Sequence, residues 1–133
     1  MMMSSITEFW ITVRAETSEL AGLRRQIHDR AVQLGADEEL VDEFLLVVCE
    51  LATNVLMHTG DEYVEVRLDR DADAWVIDVA GADGLHDVNP ANPPDPDRIG
   101  GRGLFIVNAV MDQVTVVTGW SGRYVRCVKH VDG

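Results

Sequence analysis

Near the start of the chain Phe9, Ile11 and Val13 alternate with Trp10, Thr12 and Arg14, and a period of two predicts a strand over 8–15. The period then lengthens. Leu20, Leu23, Ile27, Ala31 and Leu34 recur at three- and four-residue steps, which predicts a helix. Thr17, Ser18 and Glu19 offer capping groups before it, and Gly35 is placed to end it. Asp37 can cap a second helix over 38–58. Leu40, Phe44, Val47, Val48, Leu51, Val55 and Leu56 make that helix apolar around much of its circumference, so it belongs in the centre of the molecule. Gly60 stops it.

Two strands follow over 63–69 and 74–79, joined by the polar turn Arg70, Asp71, Ala72, Asp73, which is a hairpin by spacing. The pattern then stops. Residues 81–101 hold all four prolines (Pro90, Pro93, Pro94, Pro96) with several Asn and Asp and few apolar groups, so they predict a long loop of the kind that is usually functional or disordered. Gly103 opens a short helix over 104–111, and strands over 114–118 and 124–129 close the chain around a turn at Gly119 to Gly122. Helices interleaved with antiparallel hairpins indicate an α/β two-layer sandwich, one sheet covered on one face by helices.

Length and composition narrow the function. The 133 residues, 47% of them apolar, predict one domain over 1–133 with a substantial core. The formal net charge of −12 repels phosphate backbones, which argues against direct nucleic-acid binding and suits a basic protein partner. The opening MMMSSITEFW lacks the basic and apolar regions of a signal peptide, and no apolar run approaches the ~20 residues of a membrane span. A cytoplasmic location is therefore expected, with no membrane partner. Cys49 and Cys127 have no metal-ligand spacing and read as small core residues.

Three segments could carry chemistry. Glu50, Asn54 and His58 are spaced by four on an otherwise apolar helix and form one slowly drifting polar stripe. A buried carboxylate and amide need partners, which a ligand, a metal, water or a core network could supply; a polar outer face is the plain alternative. Gly100, Gly101, Arg102, Gly103 and Leu104 stand where the long loop meets a helix. Glycines there permit close backbone approach, a helix N-terminus favours anions and Arg102 could pair with phosphate, although an ordinary glycine turn would read the same. Val79 to Leu85 runs a strand out into the loop, where Gly81, Asp83 and Gly84 could form a ligand wall or simply a turn. No nucleophile motif or histidine metal spacing occurs; His28, His86 and His130 are isolated.

The order of these segments resembles the GHKL ATPase fold (gyrase, histidine kinase, MutL), and specifically the short anti-sigma factor serine kinases of the RsbW and SpoIIAB type. ELATNVLMH (50–58) resembles that family's N box, VAGADGL (79–85) lies where its first glycine box belongs, and GGRGLFIVNAVMD (100–112) is similar to its second glycine box. The resemblance implies a Bergerat-type sandwich with a mixed, mostly antiparallel sheet. It implies ATP and Mg²⁺ as cofactors, Glu50 as the general base for a partner serine and Asn54 as the Mg²⁺ ligand. The nucleotide would meet Gly81, Asp83 and Gly84 at the first glycine box. Gly101, Arg102, Gly103 and Leu104 would meet its phosphates, with 84–101 as the ATP lid. Implied partners are a sigma factor, a STAS-domain anti-anti-sigma protein carrying the serine, and a second copy of the chain in a homodimer. One departure stands out: the family's first glycine box reads Asp-x-Gly, whereas here Gly81 holds the aspartate's place and Asp83 the glycine's. That exchange motivates an alternative, a binding module of the same fold that sequesters its partner without kinase activity.

Overall fold

The computed structural model describes residues 9–58, 62–81, 101–119 and 122–131. In chain order they form β1 (Phe9–Arg14), α1 (Leu20–Gln33), α2 (Glu38–His58), β2 (Tyr63–Arg70), β3 (Ala74–Gly81), α3 (Gly101–Val110), β4 (Gln113–Gly119) and β5 (Gly122–His130). The five strands make one sheet in the order β1-β2-β3-β5-β4, and all four pairings are antiparallel.

Register decides which face of the sheet is apolar. Ile11 lies opposite Val66, Val66 opposite Val79, Val79 opposite Val125, and Val125 opposite Val116. The neighbouring row runs Leu68, Ile77, Cys127, Val114. Side chains alternate across a strand, so both rows point to the same side. There they join Leu23, Ile27 and Ala31 of α1, Phe44, Val48, Leu51 and Val55 of α2, and Val107 of α3 in one core. Phe44 and Trp75 meet with ring centroids 5.1 Å apart and planes tilted by 59°. The central position predicted for α2 is realised: Val41, Phe44, Val47, Val48, Leu51, Ala52 and Val55 are all buried.

The other face is held together by charge. Arg67, Asp78 and Arg126 are cross-strand neighbours on β2, β3 and β5. Arg67 donates to Asp78 Oδ2 (3.0 Å) and to Asp69 Oδ2 (2.8 Å). Arg126 donates through Nε to Asp78 Oδ1 (2.9 Å) and through Nη2 to Asp78 Oδ2 (3.1 Å). Both carboxylate oxygens of Asp78 are thus engaged, which is how the protein tolerates a carboxylate only 6% exposed. Trp10 and Tyr124 lie against these guanidinium groups, at 5.6 Å from Arg67 and 5.4 Å from Arg126.

The helix ends follow local chemistry, with one correction. Asp37 caps α2 through Oδ1, which accepts from Leu40 N–H at 2.9 Å. Gly35 closes α1 at φ +100°, its N–H donating to Val32 O while that of Ala36 donates to Ala31 O. That pair of bonds is a Schellman motif. The capping expected from Thr17 to Glu19 is not made. These residues form a 3-10 turn, and neither Glu16 before it nor Glu19 at the α1 start caps with its side chain. The tighter turn instead uses a backbone bond, Glu19 N–H to Glu16 O at 2.9 Å.

Candidate functional site

The stripe read along α2 is partly visible. Glu50 and Asn54 are both half-buried, beside the fully buried Val47, Leu51 and Val55. His58 is the last residue of α2, and its side chain lies outside the described residues. Glu43, seven residues before Glu50, continues the same line; on an ideal helix Glu43, Glu50 and Asn54 fall within about 40° of arc. Helix spacing therefore puts these three side chains on one flank of α2, between its buried face and solvent.

That flank is tied to α3. Glu43 Oε1 lies 3.3 Å from Lys129 Nζ, and the same ammonium donates to Val110 O at 2.7 Å, at the end of α3. Two more bonds hold the segment that follows: Asp112 N–H donates to Val128 O (2.9 Å), and His130 N–H donates to Asp112 Oδ2 (2.7 Å). The buried Val107 and Met111 pack the helix onto the core.

The other end of α3 is the glycine-rich segment. Gly101, Arg102, Gly103 and Leu104 form its first turn, so the helix begins before the position expected from Gly103. Apolar periodicity starts only at Leu104, and glycines carry no pattern to extend it backward. The first four N–H groups of a helix have no partner within it, so the backbone amides of 101–104 form the positive end of α3. The side chains of 102 and 104 are outside the described residues, as are Asp83, Gly84 and the expected lid, apart from Gly101 at its end.

Gly81 is the last residue of β3, paired with Val64 of β2, and it is buried. With no side chain it presents no carboxylate to a base at that strand end. Asp78 on the same strand cannot substitute, because its carboxylate faces the opposite side of the sheet and is consumed by Arg67 and Arg126.

The surroundings of both cysteines disfavour the thiolate. Burial pushes the Cys127 thiol up to about 12, with Asp78 adding to the effect. Cys49, next to Glu50, is also raised, mainly by burial, with Arg24 opposing and Glu50 reinforcing. Among the described residues no group of three or more His, Cys, Asp or Glu could hold a metal ion. Mg²⁺ in nucleotide sites keeps few protein ligands beside phosphate oxygens and water, and an amide oxygen such as that of Asn54 is chemically able to be one of them.

Sequence patterning missed Glu43 and Lys129. The signal was present: Lys129 follows Val125 and Cys127 in the inward-facing positions of β5, where an ammonium needs a partner.

A family model described as a histidine kinase-like ATPase domain matches residues 13–129. The chain belongs to the histidine kinase-like ATPase domain family. Among solved structures, it is similar to the crystal structure of the RsbU and RsbW domains of Rv1364c from Mycobacterium tuberculosis. The TM-score is 0.64 at 16% identity, over 92% of this chain and 32% of that one, so the chain spans about a third of that protein's resolved length. No curated protein matches. The described helices include none long and apolar enough to cross a membrane.

Proposed function

We propose that this domain binds ATP with Mg²⁺ and acts as an anti-sigma factor that phosphorylates a serine of a STAS-domain partner. The observation that carries the reading is the placement of Glu50 and Asn54 on one flank of α2, beside a helix that starts with Gly101, Arg102, Gly103 and Leu104. Membership of an ATPase domain family and the fold shared with a structure containing an RsbW domain support it. In this reading Asn54 holds Mg²⁺, and the backbone amides of 101–104 with Arg102 hold phosphate oxygens. Gly81, Asp83 and Gly84 border the base, and residues 84–101 cover the nucleotide. Bound Mg-ATP would supply the γ-phosphoryl group, with ADP as the leaving group and Mg²⁺ offsetting the phosphate charge. Glu50 would accept the proton of the serine hydroxyl, whose oxygen would bond to the γ-phosphorus as the bond to ADP breaks. Transfer of this kind depends mainly on positioning and charge, which two helices fixed to one core can provide. A sigma factor is the second partner, held inactive, and the working form is a cytoplasmic homodimer.

Gly81 favours a second reading, in which the same fold sequesters a regulatory partner without catalysis. A missing charged hydrogen bond to the base costs about 1.5–3 kcal/mol, roughly ten- to hundredfold in affinity. The two readings separate in one assay. Purified protein is incubated with Mg-ATP and candidate STAS-domain proteins, alone and as Gly81→Asp. Acid-stable phosphoserine on a partner, lost in Glu50→Gln, supports the kinase. Stable complexes with no phosphate transfer, indifferent to nucleotide and to Glu50→Gln, support the sequestering module.

A further inference from the structure

We infer that Lys129 is a positioning residue for the phosphate end of the nucleotide site, an inference that rests on the proposed ATP-binding function. Its ammonium contacts both helices carrying the site: it pairs with Glu43 of α2 at 3.3 Å and donates to Val110 O of α3 at 2.7 Å. Its own backbone is fixed in β5, opposite Trp75 of the central strand β3. Lys129 is thus a three-way junction between sheet, α2 and α3.

Each arm of the junction leads to one half of the site. Glu43 shares a flank with Glu50 and Asn54, and Asn54 lies about 16 Å along the axis from it. A bond at Glu43 resists rotation of α2 about its axis, and such a rotation would swing all three side chains together. Val110 is the last residue of α3, and Gly101 at the other end lies about 14 Å away. A cation on the terminal carbonyl satisfies an acceptor that has no partner within the helix and suits the helix's negative end. It also fixes the axial position of α3, and hence where the amides of 101–104 stand.

Geometry says why this group is a cation with more than one donor. The carboxylate and the carbonyl approach from different elements, and an ammonium has three donors able to serve both. Lys129 is only 24% exposed and Glu43 31%, so water screens the pair less than it would at the surface. Neither residue reaches the reacting groups; both act through the helices they hold.

The test is titration of Mg-ATP into wild type, Lys129→Met, Lys129→Arg, Glu43→Gln and the Lys129→Met/Glu43→Gln double variant, at a temperature where melting curves show each folded. Lys129→Met keeps the aliphatic stem and removes the charge. Its affinity is expected to fall about tenfold, with Glu43→Gln falling in the same direction and the double variant no worse than Lys129→Met. Lys129→Arg is expected to bind better than Lys129→Met. Should Lys129→Met not fold, Glu43→Gln carries the test, because it leaves the bond to Val110 in place. Folded variants that bind as tightly as wild type overturn the inference alone, as does an equal loss in Lys129→Arg and Lys129→Met. Wild type that binds no nucleotide overturns the functional reading and this inference with it.

Discussion

In the proposed function Asn54 and Gly81 serve opposite ends of the nucleotide, and substitutions there should act in opposite directions. Asn54→Ala removes the proposed metal ligand and should abolish the dependence of nucleotide binding on Mg²⁺, seen by titrating with and without the ion. Gly81→Asp restores a carboxylate at the end of β3 and should strengthen ATP binding by about ten- to hundredfold. Unchanged affinity in Gly81→Asp would mean that the base is not recognised at this strand end. Asp78 makes a different kind of prediction, because it serves stability. Asp78→Ala leaves Arg67 and Arg126 without their shared acceptor and should lower unfolding free energy by about 3 kcal/mol, measured by urea denaturation. The Cys127 thiol, pushed up to about 12, should resist iodoacetamide at pH 8 in the folded protein and react once urea unfolds it.

At the level of elements, the turns carry as much information as the periodic runs. Gly35 holds a left-handed conformation, and a Cβ there would also come within 3.0 Å of Arg70 Nη1. That guanidinium donates to Leu34 O and lies over Trp75. Gly35→Ala should therefore cost more than the roughly 1 kcal/mol of backbone strain alone, read from the shift of the denaturation midpoint. The β2–β3 turn depends on Asp71, whose carboxylate accepts from Asp73 N–H and Ala74 N–H and is held below its usual pKa by those bonds. Because the folded value is the lower one, its contribution is present above the unfolded pKa and fades as pH falls through the folded value. Much of this was legible beforehand. The α2 boundaries, the Asp37 cap, the Gly35 stop and both hairpins follow from spacing and turn chemistry. The start of α3 was not, since glycines have no side-chain period, and the 3-10 turn at Thr17–Glu19 was not, since Ser and Thr permit a cap without enforcing it.

For the whole molecule, the sequence showed that one sheet face would be apolar, but not what the other would do. Arg67, Asp78 and Arg126 come from three strands and become neighbours only once the β2-β3-β5 order exists. The same holds for Glu43, Lys129 and Val110, which are far apart in the chain and meet only through the packing of α2, α3 and β5. Glu50 and Asn54 were legible because one helix brings them together, whereas the junction behind them needed tertiary structure. The outcome is a family fold in which one core holds two helices, one bearing a carboxylate and an amide, the other starting with the backbone amides of 101–104. The central claim is that this arrangement binds nucleotide, and calorimetric titration of Mg-ATP into wild type and Asn54→Ala tests it most directly. Binding on the order of micromolar in wild type, lost or greatly weakened in folded Asn54→Ala, is the result this account predicts. No heat of binding in folded wild type, or equal binding in both proteins, would contradict it.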